Sequence, residues 1–326
     1  DPAVLHGLAM FHAQAPDLKT AAAFEAKFAA KTSDARAMAQ AARLYLQAGE
    51  HKRAIDTALA GIAIENRAEL RNILGKAYEA AGDTIRAVVE LREAINLNKY
   101  EEAYYFDLAQ VLLIHQNFDV AIQVVEASRK IFAESAQLEL ALGVAYYGQR
   151  RFADAVDSFL RVIAIAPKVP QSYMFLGRII DHADARLPEL EERFSEFAKT
   201  NPESAHAQLL YARVLIAQSA DLDRPEQLLR RSIALEEGNW ESHFELGILL
   251  ERKRQFPEAA AALSRSIQLN PQNPTPHYRL ARIYDRMGKR EEAAAERALH
   301  EKLSVAEKEA IEKHQAGLKR LEFTVK

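Results

Sequence analysis

Two small-residue markers keep step along this chain and leave little choice of fold. The first falls at Ala42, Gly75, Ala109, Gly143, Gly177, Ala212, Gly247 and Ala281, with gaps of 33, 34, 34, 34, 35, 35 and 34. The second falls at Ala54, Ala87, Ala121 and Ala155, passes through Leu190 and Pro225, and returns at Ala259 and Ala293, with gaps of 33, 34, 34, 35, 35, 34 and 34. Alanine is common here, so one marker alone would mean little. Two in register over eight units call for one supersecondary unit stacked end to end, each burying its apolar face on its neighbours.

The unit reads most clearly in Ala136 to Val169, as a helix, a tight turn and a second helix. Leu142 and Gly143 are followed by Tyr146, then Ala155, Phe159 and Pro167, with Glu139 where a tryptophan would open the pattern. Gly143 and Ala155 let the two helices approach, while Leu142, Tyr146 and Phe159 fill the space around that contact. Pro167 cannot continue a helix. This arrangement resembles the tetratricopeptide repeat family, whose signature is W-x2-L-G-x2-Y, A-x3-F and P on a period of about 34 residues. The resemblance implies an all-α fold, a right-handed α-solenoid of stacked antiparallel helix pairs.

Along the chain, residues 1–34 read as a degenerate helical pair or cap, with Leu8 and Ala9 at the Leu-Gly position and Pro16 between the helices. Residues 35–303 read as eight repeats. Gly49 and Gly82 suit the turn between helices, where a left-handed residue is needed. The third repeat has Gln116-Asn117 there instead, and asparagine tolerates that conformation. The fifth and sixth repeats each carry one extra residue, in HADARLP and QSADLDRP. Pro188, Pro225 and Pro257 fall in the first turns of second helices, where a missing N–H does no harm. Ser304, with Glu307 three residues on, reads as a capping box that opens a final capping helix in residues 304–326.

Composition narrows the chemistry. The 326 residues carry 43 basic and 46 acidic side chains, for a net charge of −3. That balance argues against nucleic acid, which needs a basic face. No apolar run is long enough to span a bilayer. No cysteine is present, which removes disulfides, thiolate metal sites and cysteine nucleophiles. Asn273 heads the sole Asn-x-Ser/Thr triplet, and Pro274 blocks it. The first residue is Asp1, taken as a trimmed or processed start; a secreted or periplasmic site and a cytoplasmic one stay equally open. Oligomeric state is left open too.

Catalytic motifs are missing: no HExxH, no G-x-S-x-G and no phosphate-binding glycine loop. The expectation is a non-enzymatic protein with no cofactor and no metal. His243 and His277 are equivalent positions of adjacent repeats, about a helix-packing distance apart and too far for one ion; they read as replacements for the missing tryptophan. His6 and His12 do not share a helix face. Lone Trp240 reads as a packing residue.

The resemblance implies where a partner would sit. In the family, fifth and ninth positions of the first helices line the concave groove. By register, the fifth are Ala39, Asn72, Phe106, Leu140, Met174, Leu209, Phe244 and Tyr278, and the ninth are Arg43, Lys76, Gln110, Val144, Arg178, Arg213, Ile248 and Arg282, with Tyr147, Asp181 and Arg286 nearby. Exposed apolar side chains in a row suggest a binding surface, and arginines beside them suggest an acidic partner. Only Asn72 and Lys76 resemble the family's carboxylate clamp, in reversed order, so no chaperone-tail receptor is expected. The leading expectation is a scaffold holding an extended peptide or a helix with apolar and acidic residues. The alternative is an assembly subunit, in an envelope-associated or other complex, that uses the convex face or the ends of the stack.

Overall fold

A computed structural model of the chain describes residues 2, 4, 5, 8–10, 17–218 and 221–322. His6, His12 and Pro16 lie outside the described residues. The fold is all-α, with no strand among the described residues. It divides into two units between Arg151 and Phe152, and each is a stack of consecutive helices packed on their chain neighbours.

The first unit holds Leu18–Thr32, Ala35–Gln47, His51–Ile64, Ala68–Ala80, Thr84–Leu97, Glu102–Ile114, Phe118–Ser128 and Ala136–Gly148. The second holds Phe152–Ile165, Pro170–Arg178, Leu187–Thr200, Ala205–Gln218, Asp223–Leu235, Trp240–Arg252, Phe256–Leu269, Pro274–Arg286 and Arg290–Glu322. Several starts are fixed by short polar side chains. Asp34 accepts from the Arg36 and Ala37 amides, Ser135 from Leu138, Asn239 from Ser242 and Asn273 from Thr275, each meeting donors the helix leaves unpaired.

First helices stop by a shared device. Two residues past their ends the backbone turns left-handed, at Gly49 (φ 73°), Gly82 (81°) and Gly288 (76°), and also at Gln116 (56°), Arg150 (60°) and Arg254 (61°). The next amide reaches back to the closing turn: Glu50 N to Tyr45 O at 2.9 Å, Asp83 N to Tyr78 O at 2.8 Å, Asn117 N to Leu112 O at 2.8 Å. This is the Schellman geometry. In the third repeat the left-handed residue is therefore Gln116, not Asn117, whose φ is −79°. The register of the back-bond, rather than side-chain tolerance, decides which residue turns.

The small markers do sit at close approaches. A Cβ on Gly75 would lie 2.7 Å from Leu91 Cγ and 3.0 Å from the Ala87 carbonyl, and one on Gly247 would lie 2.6 Å from Leu263 Cγ. Ala54, Ala87, Ala259 and Ala293, from the second helices, are buried.

The fifth repeat departs from the pattern. Its first helix stops at Arg178 and continues as short 3-10 turns at Ile180–His182 and Asp184–Arg186, which take up the extra residue. Aromatic rings stack there, with Tyr173 on Phe197 at 3.9 Å and Phe159 on Phe175 at 5.0 Å.

The expected break at Ser304 is not there: Arg290–Glu322 runs through it as one helix. Residues 290–303 contain no glycine or proline and many strong helix formers. A capping box stabilises a helix start but does not end a helix already running.

Candidate functional site

The fifth-position side chains sort into three groups. Ala39, Asn72 and Leu209 are buried, Phe106, Leu140 and Phe244 are half-buried, and Met174 and Tyr278 are 38% and 46% exposed. Leu209 is thus no surface residue. Its helix is buried on several sides, and it packs with Ala212, Leu229 and Leu246 in the core of the second unit. Asn72 donates its Nδ2 to Asp107 Oδ2 at 2.9 Å.

Most of the ninth-position bases already stand beside an acid of the chain. Arg43 pairs with Glu69. Lys76 Nζ lies 3.2 Å from Asp107, Arg213 Nε 2.9 Å from Glu245, and Arg282 3.7 Å from Glu251. In each case the carboxylate comes from an adjacent repeat, so the basic row is largely a ladder joining repeats. Arg178 is the exception: it is exposed and has no ion pair among the described residues. Gln110 is exposed, and Val144 and Tyr147 are half-buried. Phe106, Gln110, Leu140, Val144 and Tyr147 belong to the first unit. Met174, Arg178, Phe244, Tyr278 and Arg282 belong to the second.

Burial shapes the titratable groups of this face. Desolvation holds the Glu245 carboxyl above its ordinary range, with Arg213 pulling the other way. The half-buried His206 imidazole is pushed below its ordinary value, again chiefly by desolvation. In the first unit a cleft of about 630 Å³ is lined by Arg43, Glu69, Asn72, Lys76, Tyr104 and Asp107 among others. Its bases and acids answer one another, and the Tyr104 phenol is pushed up by burial and then by Glu101 and Glu69.

Glu139, His243 and His277 stand where the signature has tryptophan. Glu139 is buried and faces Arg129. His243 bonds the Glu237 carbonyl at 3.1 Å, and His277 Nδ1 lies 2.6 Å from Glu296. Both histidines are buried packing residues, and Trp240 sits beside Phe244 at 6.4 Å. No group of three metal-ligating side chains comes together among the described residues.

The repeated pair of helices, its Schellman turn and its small-residue contacts define a helix-pair repeat protein. Family patterns described as tetratricopeptide repeat match residues 106–172 and 140–185, and a further one matches 249–296. Over these residues the chain carries tetratricopeptide repeats. Among solved structures it is similar to the C-terminal part of a tetratricopeptide repeat-containing protein from Cytophaga hutchinsonii, at 17% identity and TM-score 0.54, covering 83% of this chain and 98% of that one. It is also similar to a tetratricopeptide repeat protein from Parabacteroides merdae, at 11% identity and TM-score 0.49, covering 76% and 98%. A thermophilic member from Thermus thermophilus follows, at 20% identity and TM-score 0.47, covering 56% and 99%. At 17% identity the likeness to the Cytophaga hutchinsonii structure is one of fold alone. No curated protein sequence matches the chain. The fold supports a protein-interaction scaffold in general, and no described helix is long and apolar enough to cross a membrane.

Residues outside the sequence-based set also matter. Asp107, Glu245 and Glu251 hold the basic row, and Arg279, Arg252 and Arg254 gather beside Arg282. The density of the segment ERKR at 251–254 was the signal available for the last group.

Proposed function

We propose that this chain is a non-enzymatic scaffold that needs no cofactor and holds an extended peptide or a helix against the first helices of its repeats. One observation carries the reading: large apolar side chains recur at one register position and stay accessible there, Met174 and Tyr278 most of all. Exposed apolar groups of this kind stabilise a complex when covered. Arg178, exposed beside Met174, favours an acidic residue on the partner.

The test is partner binding by purified variants. Tyr278→Ala, Met174→Ala and Arg178→Glu should each weaken capture of the native partner by about tenfold, or about 1.4 kcal/mol, without shifting the melting temperature. Arg213→Glu is a poor probe, because it would strand the buried Glu245.

A second reading is favoured by one patch in the first unit. Ile85 and Val89, one turn apart on the second helix Thr84–Leu97, are both exposed, Val89 by 58%. Docking through this face would make the chain an assembly subunit. Ile85→Lys with Val89→Lys would then abolish complex formation, and the three variants above would not.

A further inference from the structure

One cleft of the second unit gathers more basic side chains than acidic ones. Near the ends of Trp240–Arg252 and Pro274–Arg286, a cleft of about 420 Å³ is lined by Ile248, Glu251, Arg252, Arg254, Arg279, Arg282 and Arg286. Five guanidinium groups and one carboxylate line it, and three of the five face that carboxylate. Glu251 is only 7% exposed. The nearest nitrogens of Arg279, Arg282 and Arg286 stand 3.7, 3.7 and 3.6 Å from its oxygens. Those distances give charge attraction without hydrogen bonds, so the guanidinium donors are not spent on Glu251. Arg252 donates to the Ile216 carbonyl at 2.8 Å, which neutralises nothing. Arg279 also faces Glu245, but Arg213 already holds that group at 2.9 Å. Aromatic rings hold two of the bases in place: Arg282 lies 5.9 Å from the Tyr278 centroid and Arg286 5.6 Å from that of Phe256.

Uncompensated like charges held this close repel, and an anion with several acceptor oxygens relieves the repulsion while using the idle donors. A single carboxylate brings one charge. A phosphate monoester brings about −1.5 to −2 near neutral pH and three strong acceptors. We propose that this cleft receives a phosphorylated side chain of a protein partner, an inference that rests on the scaffold reading above. Nucleic acid is the poorer candidate, since the chain carries a net charge of −3 and phosphate backbones need a run of basic contacts.

The test uses the full chain and three versions of one labelled short peptide: a single phosphoserine flanked by apolar residues, its unphosphorylated parent, and the parent with aspartate in place of phosphoserine. Anisotropy should show the phosphopeptide binding at least tenfold more tightly than either other form. Arg282→Gln and Arg286→Gln should each remove most of that preference. Inorganic phosphate, against chloride at matched ionic strength, should raise the melting temperature of the parent protein and not of the double variant. Equal binding of the three peptides overturns the proposal, as does competition by single-stranded nucleic acid at lower concentration than phosphate. If phosphate and phosphopeptide both fail while partners still contact Met174 and Tyr278, the cleft assignment falls and the scaffold reading stands. If phosphate stabilises the protein and no partner contacts those residues, the scaffold reading falls and the proposal with it.

Discussion

Arg129 Nε lies 2.7 Å from Glu139 Oε1, and the Glu139 side chain is almost wholly enclosed. The pair occupies the place where the family's repeat opens with tryptophan. A buried carboxylate is tolerable there because Arg129 reaches it from the preceding repeat. Removing Arg129 takes its base away from that enclosed carboxylate, and breaking a buried pair typically costs about 3–5 kcal/mol. Arg129→Met should therefore destabilise the first unit strongly in urea melts. Glu139→Leu with Arg129→Met should recover to within about 1 kcal/mol of the parent, since apolar replacement of a whole pair is often neutral.

Gly75 and Gly247 set the approach of two helices within a repeat. Gly75→Leu must displace Leu91 and press on the Ala87 carbonyl, and overpacking typically costs about 1–3 kcal/mol. A lowered urea midpoint with retained helicity is the expected result. Gly82→Leu introduces no such contact, since nothing lies near its Cβ direction, but its φ of 81° makes it costly by backbone strain instead.

Gln116 takes a left-handed turn that glycine takes at Gly49 and Gly82. Left-handed backbone costs a non-glycine residue about 1–2 kcal/mol, partly offset by the freedom glycine loses on folding. Gln116→Gly should leave stability unchanged or raise it by up to about 1 kcal/mol in thermal melts. A clear loss would mean the side chain holds the turn by a contact of its own.

His206 and His243 are both held below the ordinary imidazole value of 6.5, chiefly by desolvation. Below pH 6.5 the unfolded chain binds protons there that the folded chain does not, so stability falls as pH falls toward the folded values. Glu245, held above 4.5, acts in the opposite sense. The comparison is therefore between the parent and a His206→Leu, His243→Leu double variant across pH 5 to 7. The parent should lose more stability on acidification, and Glu245 cancels in the difference.

The helix pairs and the turns at Gly49 and Gly82 were legible because each is dictated within one repeat; the caps Asp34, Ser135 and Asn273 stand at fixed offsets from the small markers yet went unread, and Arg150 and Arg254 carry no glycine to mark their turns. The charge pattern of the first-helix face was not. Glu69, Asp107 and Glu245 lie about one repeat away from Arg43, Lys76 and Arg213, and no local spacing reveals which acid answers which base. Leu209 was misplaced for a related reason, since register tells which way a side chain points but not how closely neighbouring helices cover it. The run of Arg290–Glu322 through Ser304 shows that a start signal is informative only where something has stopped the helix before it.

The most direct measurement is photo-crosslinking in native extract from a benzophenone side chain placed singly at Met174, Tyr278, Ile85 or Val89. The account predicts protein adducts at Met174 and Tyr278 that excess unlabelled chain suppresses, with little at Ile85 and Val89. Adducts confined to Ile85 and Val89, or none that excess chain suppresses at Met174 and Tyr278, would contradict it.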